Sequence, residues 1–176
     1  MSEFRVTLRP ALAGRPPIAR SGVYIEALPE GTVLHLLANT SFTTMPALDT
    51  EAKAAGLSLR TLSPGQWFAV GTTPFPFAEL NELKAILKPK ADIVDQSHGR
   101  VRTAIRGHMA TRVLAKGSAV DFALAEFAVG QSTTTLIGHI AVHLTRTEEE
   151  AFELIVLRGF AESLWDDLAQ MSVEFS

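Results

Sequence analysis

Thr133-Thr134-Thr135-Leu136-Ile137-Gly138-His139-Ile140-Ala141-Val142-His143-Leu144-Thr145 is followed, across Thr147 to Glu150, by Ala151-Phe152-Glu153-Leu154-Ile155-Val156-Leu157. In the first segment Leu136, Ile140, Val142 and Leu144 share one parity, and Thr135, His139, His143 and Thr145 share the other, as a half-buried strand requires. The second segment pairs with it across the short polar connection, so this region reads as an antiparallel hairpin. Phe160, Leu164, Leu168 and Met171 then recur at helical spacing, with Glu162, Asp166 and Asp167 on other faces. Strands joined by a tight turn and closed by a helix predict an α+β chain with antiparallel pairing.

Upstream, VRTAIR (101–106) reads as a strand, and HMATRVLAKG as a helix with Met109, Val113 and Leu114 inward and Gly117 past its end. The first half repeats this order. VYIEAL and TVLHLLA flank a turn at Pro29-Glu30-Gly31, and Leu48, Ala52 and Ala55 mark a short helix from about Pro46 that Gly56 ends. LSLRTL and QWFAV flank Ser63-Pro64-Gly65 as a hairpin, and Phe77, Leu80, Leu83 and Leu87 mark a helix that Pro89 stops. Residues 32–87 and 100–170 thus both read β-α-β-β-α, a repeat of order without a repeat of residues. Two such modules give an antiparallel or mixed sheet with helices packed on it. Hairpin turns outnumber crossovers, which disfavours a doubly wound parallel fold. Residues 9–22 carry three prolines and two glycines without periodicity, so residues 1–22 read as an extended arm and 23–176 as a single domain.

The 176 residues suffice for one core, and 47 % apolar with 20 % charged residues is globular usage. A mean hydropathy of +0.17 leaves room for an apolar patch that another chain covers. The net charge of −3 supplies no basic field for nucleic acid. No run approaches membrane-spanning length, and MSEFRVTLRP places charges where a secretory signal needs an apolar run. A cytoplasmic protein without a membrane or nucleic-acid partner is the expectation. The chain has no cysteine, which excludes disulfides, thiolate metal sites and cysteine nucleophiles.

The common nucleotide, zinc-protease and hydrolase signatures are missing. His139 and His143, four apart on a strand, would sit roughly 13 Å apart, too far to share one ion, so a solvated face is expected rather than a metal. Ser97-His98 are adjacent in extended chain and point to opposite sides, which suits a turn before Gly99 better than a catalytic pair. Glu148-Glu149-Glu150 repel one another and suit an exposed hairpin tip. Trp67 and Trp165 lie on core-facing elements and read as packing residues rather than stacking platforms for a pterin or flavin. Asp121, between the helix end at Lys116-Gly117 and the Val129-Gly130-Gln131-Ser132 loop, is placed to sit in a mouth beside the sheet. As a loop aspartate it is more often a turn former. No catalytic residue is assigned; Asp121 and Gln131 are the only candidates for contact with a folate.

Val94-Asp95-Gln96-Ser97-His98-Gly99-Arg100-Val101, then Val113-Leu114-Ala115-Lys116-Gly117 and Asp121, resemble the gamma subunit family of heterotetrameric sarcosine oxidase. Ala151-Phe152-Glu153-Leu154, Ser163-Leu164-Trp165 and the Leu59 to Gly71 segment with Pro64-Gly65-Gln66-Trp67 extend the likeness, which covers about residues 57 to 170. The resemblance implies the fold of the N-terminal part of folate-binding aminomethyltransferases. It also implies a non-catalytic place in an assembly that oxidises sarcosine to glycine and passes the one-carbon unit to tetrahydrofolate. The partners implied are the alpha subunit and the other subunits. FAD, FMN, NAD and tetrahydrofolate are implied for the whole complex, and none for this chain alone. In the aminomethyltransferase relatives an aspartate after the helix acts on the folate, and Asp121 falls near that place, but the asparagine expected before it is Val120 here. The alternative is a stand-alone folate-binding one-carbon transfer protein.

Overall fold

A computed structural model describes residues 9–39 and 44–176. In chain order the elements are β1 (Ile18–Arg20), β2 (Val23–Ala27), β3 (Thr32–Ala38), α1 (Met45–Ala54), β4 (Ser58–Ser63), β5 (Gln66–Gly71), α2 (Phe77–Leu87) and β6 (Ala91–Asp95). They continue with β7 (Arg100–Arg106), α3 (Ala110–Ala115), β8 (Ser132–Ile137), β9 (Ile140–Glu148), β10 (Ala151–Leu157) and α4 (Ala161–Met171). A six-stranded sheet has the order β1-β2-β7-β10-β9-β8 and a four-stranded sheet the order β4-β5-β3-β6. Every pairing is antiparallel.

Period-two alternation sorts each strand between two faces. On β3 and β5, Leu34, Leu36, Trp67 and Ala69 pack with Leu48, Leu80, Leu83 and Leu87 of α1 and α2. Their neighbours Val33, Phe68 and Val70 face the other way and meet Ile155 of β10. In the six-stranded sheet Val101, Ile105, Val142, Leu144, Phe152 and Leu154 pack with α3 and α4, including Leu164, Trp165 and Leu168. The sheets therefore lie face to face in the middle of a four-layer sandwich, with a helix pair outside each. Over the middle of each sheet both faces are covered, so within residues 133–145 the expected half-buried strand gives way, in β9, to one with Val142 and Leu144 buried on one side and His143 and Thr145 buried on the other, while β8 stays partly exposed.

The α+β class and the modular order are as the sequence indicates, and each module carries one further strand. The first is β3-α1-β4-β5-α2-β6, a split βαβ arrangement in which β3 and β5 lie centrally. In the second, residues 133–145 form two strands rather than one. Gly138 takes φ +59° and, with His139, makes a two-residue turn joining β8 to β9. The alternation concealed it because Ile137 and Ile140 flank the turn and both are buried. β2 and β3 belong to different sheets, so Pro29-Glu30-Gly31 carries the chain between layers instead of closing a hairpin.

Two helical faces are rotated from the expected stripes. Phe77 is 78 % exposed while Leu80, Leu83 and Leu87 are buried. In α4 the buried stripe is Ala161, Leu164, Trp165 and Leu168, and Phe160, which precedes the helix, is 49 % exposed. Residues 1–8 of the expected arm lie outside the described residues. Its remainder packs on the body: Leu12 is buried in the core, β1 pairs β2, and the Ser21 N–H donates to the Phe175 carbonyl at 2.7 Å.

Candidate functional site

The polar residues that alternation sends between the sheets collect in one place. Glu153, the single charge in an apolar β10, is buried beside Arg102 of β7 and Arg60 of β4. Arg102 donates from Nε to Glu153 Oε1 at 2.6 Å, from Nη2 to Oε2 at 3.2 Å, and from Nη1 to the Gly71 carbonyl at 2.7 Å. Arg60 Nη2 donates to Glu153 Oε2 at 2.8 Å, and its Nη1 is buried without a partner. Burial alone would raise the Glu153 carboxyl, but the hydrogen bonds and charges of Arg102 and Arg60 outweigh it and hold the carboxyl below its ordinary value. A carboxylate so held is a weak base, and both its oxygens are taken.

His143 of β9 is 3 % exposed, and its Nε2 lies 2.9 Å from the Thr61 carbonyl. A carbonyl only accepts, so Nε2 carries the proton and Nδ1, buried without a partner, is bare. Burial depresses its pKa, with the Arg60 charge adding to the effect and the Thr61 bond and Glu153 opposing it. Phe68 stands edge-on to His143 and to His35 at ring separations of 5.1 and 5.5 Å, and the Arg100 guanidinium lies 5.3 Å from its centroid. Around it runs a chain of side chains: His35 Nε2 to Gln66 Oε1 at 2.8 Å, Gln96 Nε2 to His35 Nδ1 at 3.3 Å, and Arg100 Nε to Gln96 Oε1 at 2.8 Å. Donors and acceptors are matched along it, which makes it a polar brace between the sheets.

The sequence candidates lie elsewhere. Asp121 is exposed; its Oδ1 accepts the Ala123 N–H at 2.8 Å, a turn-forming bond. Gln131 is exposed, and its Oε1 accepts the Ala128 N–H at 2.7 Å. Both staple one loop, residues 118–131, whose Phe122 and Phe127 are buried and whose Phe122 carbonyl accepts from Arg146 Nη2 at 2.6 Å. Ser97 Oγ donates to Asp95 Oδ1 at 2.6 Å and accepts the Val33 N–H at 3.1 Å, so the hydroxyl closes a turn. Burial would raise Asp95, but the Ser97 hydrogen bonds outweigh it and keep the carboxyl low, so it has little power to activate that hydroxyl. His98 is exposed on the wall of a cleft of about 510 Å³ formed with Arg9, Glu30, Phe75 and Arg158. There too the charges are spent internally: Glu30 Oε1 accepts from the Ala11 N–H at 2.8 Å and from Arg158 at 2.9 Å.

His139 sits in the exposed β8–β9 turn and His143 between the sheets, so they do not share a strand. Glu148, Glu149 and Glu150 form the exposed β9–β10 tip, and Trp67 and Trp165 are buried in the two helix-side cores. Arg60, Arg102 and Glu153 were missed, and His143, expected on a solvated face, is buried because the four-stranded sheet covers that side of β9. A lone glutamate inside AFELIVL and an arginine at the matching face of VRTAIR signal a shared buried side, once both faces of the strand are taken as covered. Among the described residues no three His, Asp or Glu side chains gather as a metal cluster, and no helix is long and apolar enough to cross a membrane.

A family model described as "Sarcosine oxidase, gamma subunit family" matches residues 38–174. No curated protein matches the sequence. Among solved structures the chain is similar to one of heterotetrameric sarcosine oxidase from Corynebacterium sp. U-96 in complex with pyrrole 2-carboxylate, with 23 % identity, 96 % of each chain covered and a TM-score of 0.82. It is also similar to glycine cleavage system aminomethyltransferase T from Bartonella henselae, with 18 % identity and a TM-score of 0.62, over 85 % of this chain and 46 % of that one. At these identities the structural likeness is one of fold.

Proposed function

This chain belongs to the sarcosine oxidase gamma subunit family, and from that premise we propose that it is a non-catalytic subunit of a heterotetrameric, cytoplasmic sarcosine-oxidising complex. Its work is to pack against the larger subunits, including the alpha subunit. The FAD, FMN, NAD and tetrahydrofolate chemistry of oxidative demethylation belongs to those subunits. The observation that carries the reading is the family match over residues 38–174. The internal use of the polar groups supports it: Glu153, Ser97, Asp121 and Gln131 each direct their acceptors to this chain's own donors.

Coexpression with the larger subunits, size-exclusion chromatography and a sarcosine-dependent peroxide assay test it. The chain is expected to comigrate stoichiometrically with them, and the isolated chain to show neither sarcosine oxidation nor flavin binding. A tight, stoichiometric tetrahydrofolate complex of the isolated chain, abolished by Asp121→Ala, would overturn this in favour of a folate-binding one-carbon transfer protein.

A further inference from the structure

Sheets expose four edges, and three of them are guarded. β1 is three residues long, follows Pro16-Pro17 and carries Arg20. β4 has a register irregularity between Thr61 and Ser63 and carries Arg60. β6 bears exposed Asp92 and Asp95. Short length, proline, irregular register and charge are the usual devices that keep an edge from recruiting another strand. β8, Ser-Thr-Thr-Thr-Leu-Ile, has none of them: six residues, no charge, no proline and an unbroken register with β9.

Its main-chain polarity follows from the turn. Ile137 and Ile140 flank a two-residue turn, so they form a hydrogen-bonded pair, and the Arg146 N–H bond to the Gln131 carbonyl at 3.0 Å puts residue 131 in the same phase. The N–H and C=O groups of Ser132, Thr134 and Leu136 consequently point away from β9. Among the described residues no backbone group pairs with them. Their side chains lie on the face toward the four-stranded sheet, as the Ser132 to Thr145 hydroxyl contact at 2.9 Å indicates. That smaller sheet does not cover them fully: Thr134 is exposed and Leu136 is 53 % exposed.

We propose that the β8 edge is a docking site for an extended, uncharged, β-prone segment of a larger subunit, which adds to the six-stranded sheet as a seventh strand beside residues 132–137. Open main-chain donors and acceptors specify a strand as the ligand, and Leu136 supplies an apolar contact beside it. The inference rests on the subunit reading above, which is why the occupant is another subunit rather than a second copy.

Thr134→Pro is the decisive variant. Its lost N–H faces outward, where an edge strand tolerates proline, so the chain keeps its fold while the new ladder loses a donor and meets a ring. Coexpressed with the larger subunits, the variant is expected to be recovered with them at roughly a tenth of the wild-type yield or less. Thr134→Val is expected to be recovered fully, and circular dichroism of both isolated chains to match wild type. Hydrogen exchange on the wild-type complex supplies a second readout: the Thr134 and Leu136 amides slow sharply on assembly. Normal assembly of Thr134→Pro, or unchanged exchange at those amides, overturns the docking site and leaves the subunit reading standing. Failure of the wild-type chain to join the larger subunits overturns both. A wild-type homodimer that Thr134→Pro converts to monomer also overturns the proposal, because the occupant is then a second copy.

Discussion

Arg60 Nη2 and Glu153 Oε2 lie 2.8 Å apart, and the bond between them crosses from the four-stranded sheet to the six-stranded one. Both side chains are under 10 % exposed. Arg102 holds the same carboxylate from within its own sheet, so two guanidinium groups share one buried anion. Such a cluster contributes little net stability over a well-packed apolar one, because desolvation offsets the attraction, but removing one member strands the others. Glu153→Gln is therefore expected to cost about 3–5 kcal/mol, read from urea unfolding. A loss below about 1 kcal/mol would mean that the arginines find water or another acceptor.

The same layer predicts a pH effect. His143 is depressed by burial, and it faces Arg60 and Arg100, which oppose its protonation, and Glu153, which favours it. The unfolded chain then takes up a proton near pH 6.5 while the folded chain resists, so stability falls as pH drops through that value. Above it the contribution is fully present. Glu153, also depressed, adds its own loss only as pH falls below the ordinary carboxylate range. His143→Gln should flatten the stability curve between pH 7 and 5.5 while leaving the steeper fall at lower pH. An unchanged slope in that window would show that another group carries it.

Leu80 and Phe77 separate the observed helix face from the expected one. Leu80 is 5 % exposed and Phe77 78 %. Leu80→Ala is expected to cost about 2–5 kcal/mol, and Phe77→Ser less than about 0.5 kcal/mol, both from denaturant midpoints. Equal losses would mean that Phe77 is covered in solution.

The class of the fold was legible because turn and cap residues speak locally. Ser63-Pro64-Gly65 gives the β4–β5 hairpin and Gly56, at φ +72°, follows α1. Layering was not legible. Val33, Phe68 and Val70 look like any inward side chains, and only the fold shows that they pack on a second sheet while Leu34 and Trp67 pack on helices. For that reason strand β6, with exposed Asp92 and Asp95, escaped the alternation test, and Phe160 entered a stripe that Ala161 and Trp165 complete. The candidate residues Asp121 and Gln131 were found as loop positions, but which bonds they spend on their own loop depends on its closed conformation.

Gly31 and Gly71 couple the crossing between layers to the ion cluster. A Cβ on Gly31 would stand 2.3 Å from the Gly71 carbonyl oxygen and 2.7 Å from the carbonyl carbon of Thr72, backbone atoms that a side-chain rotation cannot clear. That same oxygen accepts from Arg102 Nη1 at 2.7 Å. Gly31→Ala must therefore displace the acceptor that completes the Arg102 hydrogen-bond set, adding a weakened buried bond to an overpacking cost of about 1–3 kcal/mol. Substitutions at Gly31 and at Arg102 both act on this one bond, so their costs should not add. Arg102→Met removes the donor in advance, and Gly31→Ala made in that background is expected to cost about 1 kcal/mol less than in the wild type. The full four-member cycle in urea measures the coupling. Strict additivity would mean that residues 71 and 72 yield without moving the oxygen that Arg102 holds.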